Sequence, residues 1–111
     1  MSRINEEMQQ AVDALAKIMC QSEEFKQYQE AKQQAVNDPD KMAMIKQAQI
    51  LRERLHAIPE QEIHNEYAER TQTEYEELME DTVVYKYTKA ELAIGGICRD
   101  VFAHILDAME F

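Results

Sequence analysis

The sequence predicts an all-α protein of about five helices, with a long antiparallel C-terminal helical hairpin, that assembles as a helical-bundle homodimer. Apolar residues return every three or four positions along the chain, which is the period of an amphipathic helix. The 111 residues include only two Gly and two Pro, too few for a turn-rich fold. Hydrophobic residues make up 45%, too many for a disordered acidic chain. The length favours a single helical domain over residues 1–111.

The first two predicted helices are separated by a capping residue. The apolar stripe of the first helix consists of Ile4, Met8, Val12, Leu15, and Ile18 or Met19. Ser22 is a suitable N-cap for the second helix, because its hydroxyl can accept a bond from a free backbone N–H. Glu23 and Glu24 follow it, and their negative charges interact favourably with the positive, N-terminal end of the helix dipole. The apolar face of this short helix consists of Phe25, Tyr28, Ala31, Ala35 and Val36.

The third predicted helix begins at the clearest break in the chain, residues 37–40. Asp38 can cap it, and Pro39 fits the first helical position, where its missing N–H costs nothing. The helix is expected to end near residue 57, because Pro59 pushes Ile58 toward an extended conformation. Its apolar stripe has the heptad spacing of a close helix–helix seam. The stripe consists of Met44, Ala48, Leu51, Leu55 and Ile58.

The pattern of residues 60–81 predicts a fourth helix with a thin apolar stripe and a strongly acidic face. This segment has nine acidic residues and one basic residue, Arg70, which makes its net charge −8. A helical hairpin at Pro59 would bring its stripe against the third helix. The acidic face either steers the protein to a basic partner or only keeps it in solution. The stripe consists of Ile63, Tyr67, Thr71, Tyr75, Leu78 and Met79.

The last predicted helix is the most apolar segment and is capped by Asp81 or Thr82. A helix that is apolar around most of its circumference needs burial on several sides. Gly95 and Gly96 lie inside it, where each Gly costs about 0.5–1 kcal/mol relative to Ala. We therefore expect a close helix crossing there, either within the protomer or across a dimer. The face of this helix consists of Val84, Tyr87, Glu91, Ile94, Cys98, Val101 and Ile105.

A homodimer is expected because five thin amphipathic helices in so short a chain cannot bury all of their stripes. The third and the last predicted helices contain the candidate residues for a seam, meaning a close helix–helix contact. This contact lies either within one protomer or between two protomers. The candidate seam residues are Met44, Ala48, Leu51, Leu55, Ile58, Tyr87, Ile94, Gly95, Cys98, Val101 and Ile105. The six internal methionines fit either an ordinary core or a partner-binding surface.

The charge balance disfavours two classes of partner. The chain has 12 Lys and Arg against 22 Asp and Glu, a formal net charge of −10. Such a chain repels the phosphates of nucleic acids and anionic membrane surfaces. No apolar run approaches the roughly 20 residues of a membrane span, and Glu6 and Glu7 do not fit a secretory signal. We expect a cytoplasmic protein with no direct nucleic-acid or membrane partner.

The sequence contains no catalytic motif of the GxGxxG, P-loop, HExxH or GxSxG type, so no enzymatic activity and no cofactor are predicted. Cys20 and Cys98 are expected to be small buried hydrophobic residues. Glu53 and His56 form a single ExxH pair, which a homodimer would duplicate as in carboxylate-bridged metal bundles. The alternative function is therefore a metal- or iron–sulfur-binding protein whose site is assembled across a homodimer, with Cys20, Cys98, His56 or Glu53 as candidate ligands.

The order of these signals resembles the YlbF/YmcA family of small bacterial helical proteins, including its short YheA-like members. Ser22-Glu23-Glu24-Phe25 matches the family's Ser-Glu-Glu-aromatic element, and residues 35–40 match its valine-rich helix end followed by an acidic-Pro cap. Residues 47–55 are similar to its Gln- and Leu-rich helix. Residues 87–92 are similar to the Tyr-x-x-Ala-Glu opening of its long C-terminal helix.

The resemblance implies a dimeric cytoplasmic protein without catalytic activity that acts as a regulatory adaptor. Related regulators influence competence, sporulation and biofilm formation, and form a complex that works with ribonuclease Y in mRNA processing. Expected partners are therefore a second copy, related family members or ribonuclease Y. Some members hold an iron–sulfur cluster through cysteines in a C-terminal extension. This sequence ends at Phe111 without such cysteines, so no cluster is expected.

Overall fold

The structure, a computed structural model, describes residues 3–110. These residues form five α-helices and one 3-10 turn and contain no strand, so the prediction of an all-α fold is confirmed. Residues 1, 2 and 111, including the C-terminal Phe111, lie outside the described range. The helices are α1 (Glu6–Met19), α2 (Glu23–Val36), α3 (Pro39–Ala57), α4 (Glu66–Met79) and α5 (Thr82–Ala108), with the 3-10 turn at Glu60–Glu62.

The predicted helix starts at Ser22, Asp38 and Asp81 are confirmed by their capping bonds. The Ser22 hydroxyl accepts the Phe25 N–H at 3.2 Å. The Asp81 carboxylate accepts the N–H groups of Val83 and Val84 at 3.0 and 3.1 Å. Asp38 caps α3 in the same way and is followed by Pro39 at the start of the helix. Capping of this kind satisfies N–H groups that have no partner within the helix.

Two further caps were not predicted. The side-chain oxygen of Asn5 accepts the Met8 N–H at 2.8 Å, and that of Asn65 accepts the Ala68 N–H at 2.7 Å. Asn is among the best N-cap residues, and both are followed by glutamate in the first turn. The sequence signal for these helix starts was therefore present at both positions.

The predicted continuous helix over residues 60–81 is wrong at its N-terminal end. A 3-10 turn at Glu60–Glu62 follows Pro59, and α4 begins only at Glu66 under the Asn65 cap. Ile63, which precedes α4, and Tyr67, in its first turn, were both placed on the apolar stripe, and both are exposed. The buried residues of α4 are Ala68 and Thr71.

The core lies between α2, α3 and the first half of α5. Helix α5 packs most extensively on α2, and α3 packs most extensively on α4, as a hairpin at Pro59 requires. The contact between α4 and α5 is smaller, so the C-terminal hairpin is not the main helix pair of the molecule. The reason is that the face of α4 is already occupied by α3. The buried cluster consists of Ala31, Ala35, Ile45, Ala48, Val84 and Tyr87.

Polar contacts connect α5 to the other helices of this core. The Arg52 guanidinium pairs with the Glu91 carboxylate at 2.6 Å, and the Gln49 amide donates to the same carboxylate at 2.8 Å. Lys41 pairs with Asp81 at the start of α5. These contacts hold α3 beside α5, so the N-terminal half of α5 is fixed at several points along its length.

The described chain is elongated. The radius of gyration of its Cα atoms is 17.6 Å, with extents of 49 × 39 × 27 Å. A compact chain of this length has a radius of gyration of about 13 Å. Two parts of the molecule extend away from the core: α1 and the C-terminal half of α5.

Candidate functional site: two apolar helix faces

Helix α1 is amphipathic but contributes nothing to the core of the protomer. None of its 14 residues is buried. Met8 and Val12 have exposed fractions of 52% and 48%, and Leu15 and Met19 are half-buried. We call the surface formed by Met8, Val12, Leu15 and Met19 the α1 face. Its residues have the spacing of a stripe that packs against another helix.

The core stripe of α5 continues beyond the core. Val84 and Tyr87 are buried in the protomer, whereas the residues that follow them on the same face are not. Ile94 and Val101 are half-buried, and Phe102, Ile105 and Met109 are exposed. We call the surface formed by Ile94, Val101, Phe102, Ile105 and Met109 the distal α5 face. Five apolar side chains at helical spacing therefore lack the cover that the first half of the same helix has.

The two faces meet at one end. A small apolar cavity of about 160 Å³ lies between the end of α1, the start of α2 and the middle of α5. Its walls include Met19, Phe25, Ile94 and Ile97. The α1 face and the distal α5 face therefore both begin at this junction.

Gly95 and Gly96 lie beside this junction, and they do not mark a helix crossing within the protomer. Apart from its chain neighbours and the backbone of its own helix, a Cβ atom built on Gly95 meets no described atom within 4 Å, and one on Gly96 meets an Arg99 guanidinium nitrogen at 3.7 Å. The crossing expected within the protomer is therefore wrong. The alternative, a crossing between protomers, stays a prediction.

The predicted seam residues fall into two groups. Those on α3, together with the adjoining Ile58 and with Tyr87, lie within the protomer. Ala48, Leu51 and Tyr87 are buried, and Met44, Leu55 and Ile58 are half-buried. Ile94, Gly95, Cys98, Val101 and Ile105 lie at or beyond the junction and are half-buried or exposed. The α3 stripe is therefore largely used inside the protomer, while the second half of the α5 stripe is left on the surface.

The candidate metal ligands are not brought together within the protomer. Cys20 and Cys98 are both exposed, so the expectation that they are buried is wrong. Cys20 follows the last residue of α1 at the edge of the cavity between α1 and α5, and Cys98 lies on α5 beyond the core, so neither is enclosed by packed helices. Glu53 and His56 are exposed on α3. No group of three His, Cys, Asp or Glu side chains within residues 3–110 is arranged to hold a metal ion.

Two grooves lie between the helices of the described chain. A cavity of about 580 Å³ between α2 and α5 is lined by the buried Ala31 and Ala90 and by Glu30, Lys86 and Lys89. A second cavity, of about 570 Å³, lies between the end of α3 and α4. The first cavity contains both acidic and basic side chains, so its charge does not indicate whether an anionic or a cationic ligand would bind there.

The shifted ionisable groups belong to the core contacts. Burial, together with the hydrogen bond between the Tyr28 and Tyr87 hydroxyls at 3.3 Å, raises the pKa of Tyr87. The hydrogen bond between Lys41 and Asp81 raises the pKa of Lys41 and lowers that of Asp81. Each shift is explained by packing or pairing between helices of the fold.

Within residues 3–110, no helix combines the length and the apolar character that crossing a membrane would require.

The fold and its surface define a small all-α protein that leaves two apolar helix faces without cover in the protomer. The chain belongs to the YlbF/YmcA family. Residues 5–110 match the family described as "Control of competence regulator ComK, YlbF/YmcA", so the resemblance is confirmed over nearly the whole chain. This membership is consistent with a regulatory role. No curated protein and no solved structure matches the chain.

Proposed function

We propose that this protein is a non-enzymatic regulatory adaptor of the bacterial cytoplasm that acts as a homodimer through protein–protein contacts. Its regulatory partners are related family members or ribonuclease Y, in the control of competence, sporulation and biofilm formation. The observation that supports this proposal is the amount of apolar helix surface left uncovered on α1 and distal α5. Exposed apolar patches of this extent are typical of protein-interaction sites.

An affinity capture from the cytoplasm of the host tests the adaptor role. The tagged native protein is expected to retain ribonuclease Y or another YlbF/YmcA protein, identified by mass spectrometry. Val12→Glu places a charge in the α1 face and is expected to weaken this capture. Gln10→Glu is the matched control, because Gln10 is exposed on the same helix but outside the α1 face. Equal recovery of the same partner by both variants would show that the α1 face does not contribute to adaptor binding. If the native protein retains neither ribonuclease Y nor another YlbF/YmcA protein, the adaptor role is contradicted.

The alternative, a metal or iron–sulfur site assembled between protomers, has a direct test. Cys98 lies exposed on α5, next to the distal α5 face, so two copies of it can approach each other only in an assembly. Metal analysis and an absorption spectrum of protein purified without oxygen would show stoichiometric iron or zinc if this alternative holds. Loss of that metal in Cys98→Ser, with the assembly retained, would assign the ligand.

A further inference from the structure

The groove between the end of α3 and α4 has an apolar floor that the protomer leaves partly open. Ala68 is buried, Leu55 and Ile58 are half-buried, and Ile63 is 48% exposed. The volume of about 570 Å³ is within the range of specific binding sites. Exposed apolar surface bounded by polar side chains is typical of an interaction site. The polar lip of this groove on α4 consists of Glu69, Gln72 and Thr73, which are all exposed.

The charge around this groove is strongly negative. Residues 54–80, which include all of its lining residues, contain eight acidic and two basic residues, a net charge of −6. Glu69 lines the groove, and Glu76 lies seven residues later on the same side of α4. Glu62 lies in the 3-10 turn next to Ile63. A partner that covers the apolar floor therefore needs Lys or Arg side chains at its edge, because an acidic partner would be repelled.

The acidic residues of α4 are not neutralised within the protomer. Neither of the two ion pairs within residues 3–110 involves a residue of α4. The Glu76 carboxylate accepts a hydrogen bond at 2.9 Å from the Gln72 amide of its own helix, and this donor carries no charge. These carboxylates can therefore form charge-assisted hydrogen bonds with an ammonium or guanidinium group from outside the protomer.

The walls of the groove favour a helix as the occupant. The described residues contain no strand, so a partner segment cannot bind by adding a strand to a sheet edge. None of the described residues that line the groove is aromatic, whereas Pro-rich segments bind in aromatic-lined grooves. An amphipathic helix instead places apolar side chains, three or four residues apart, into a groove with an apolar floor.

We propose that the groove between α3 and α4 binds a basic amphipathic helix of a partner protein. Its apolar side chains contact Leu55 and Ile63, and its Lys or Arg side chains pair with Glu69 and Glu76. This assignment rests on the proposed function, because it specifies the chemistry of the segment that the adaptor recognises. It gives the acidic face of α4 a role in binding, and it shares no residue with the α1 face or the distal α5 face.

Binding of a synthetic peptide to the purified full-length protein tests the assignment. The probe is a fluorescently labelled helical peptide of Leu and Lys in which all Leu residues lie on one face. A second peptide has the same composition in shuffled order, and a third has Glu in place of Lys. Fluorescence anisotropy is expected to show binding of the first peptide and at least ~10-fold weaker binding of the other two. Equal binding of the shuffled peptide would show attraction by charge alone and would overturn the assignment.

Matched variants locate the bound peptide. Ile63→Ser removes an apolar contact from the floor, and Glu69→Lys reverses a charge at the lip. Each is expected to raise the dissociation constant of the peptide at least ~10-fold. Ile50→Ser and Glu74→Lys are the controls, because neither residue lines the groove. All four side chains are exposed, so circular dichroism is expected to show the native helix content. Equal losses of affinity in each variant and its control would overturn the assignment.

The same variants distinguish this assignment from the adaptor role and from a second copy as the occupant. If the native protein retains ribonuclease Y or another YlbF/YmcA protein but does not bind the peptide, the adaptor role stands and the assignment is overturned. Peptide binding that depends on Ile63 and Glu69, without either captured partner, would support the groove and contradict the adaptor role. Sedimentation velocity of Ile63→Ser is expected to match that of the native protein. A change in oligomeric state would show that a second copy covers the groove and would overturn the assignment.

Discussion

Leu51 lies where α3 enters the core, and its neighbour Ile50 lies on the surface. Leu51 is 1% exposed, whereas Ile50 is 43% exposed. Leu51→Ala removes buried atoms and leaves a cavity, so we expect a loss of about 2–5 kcal/mol in the free energy of unfolding. Ile50→Ala is expected to change it by less than about 1 kcal/mol. Urea unfolding monitored by circular dichroism measures both, and equal losses would contradict this difference in burial.

The pair of Lys41 and Asp81 predicts a pH dependence of stability. The pKa of Asp81 is lowered from 3.8 by its hydrogen bond with Lys41, so its stabilising contribution is present above 3.8 and is lost as the pH falls through the lowered pKa. The pKa of Lys41 is raised from 10.5, so its contribution is present below 10.5 and is lost as the pH rises through the raised pKa.

Asp81→Asn separates the ion pair from the helix cap, because Asn also caps helices well. We expect this variant to be less stable than the native protein at pH 7, with a difference that shrinks as the pH falls below 3.8. Urea unfolding at pH 7 and at several acidic pH values measures the difference. Asp100→Asn, at an exposed position on α5, is the control. A difference that is constant with pH would rule out the ion pair as its source.

At the scale of the element, the proposed homodimer predicts that Gly95→Ala stabilises α5 but weakens assembly. In Val12→Glu, which is expected to weaken the proposed dimer, Gly95→Ala is expected to raise the free energy of unfolding by about 0.5–1 kcal/mol, because Ala favours the helix and its Cβ meets no described atom beyond its own helix. In the otherwise native protein the same change is expected to weaken the dimer. Unfolding in urea and sedimentation velocity measure the two effects. A stabilised and equally tight dimer would show that no backbone approaches Gly95.

If the protein is a homodimer as proposed, helix α1 is expected to depend on assembly for its stability. It has 14 residues and buries none of them in the protomer, and an isolated helix of that length is marginal in water. We expect its amide hydrogens to exchange rapidly in diluted protein and in Val12→Glu, and slowly at concentrations where the dimer forms. Hydrogen exchange followed by mass spectrometry measures this. The α2 amides provide the internal control, since α2 contributes Ala31 and Ala35 to the core.

The elements also show where sequence patterns are sufficient. The starts of α2, α3 and α5 were predictable because a cap is a local interaction between a side chain and the next turn. The start of α4 was misplaced because Ile63 and Tyr67 continue the helical period, although Asn65 and the 3-10 turn interrupt the backbone. Periodicity locates apolar residues, and it does not show which of them a neighbouring helix covers.

At the scale of the whole molecule, the elongated shape predicts that folding and assembly are coupled. Any partner that binds the folded state alone raises the melting temperature as its concentration rises. We therefore expect the melting temperature of the native protein to increase with protein concentration, and that of Val12→Glu to remain constant. Calorimetry over a hundredfold range of concentration measures this. Independence of concentration in the native protein would show that the protomer is stable without a second copy.

The local sequence by itself determined the all-α class, the caps, the break at Pro59 and the family, because these depend on side-chain period, on short-range hydrogen bonds and on motif order. Only the tertiary structure decided which apolar stripe remains free. The stripes of α1, α3 and α5 all have the period of a packed helix, but α3 and the first half of α5 are covered within the protomer, whereas α1 and the second half of α5 are not. The physical reason is that burial depends on which distant segments reach a face, and a pattern of local spacing contains no information about them.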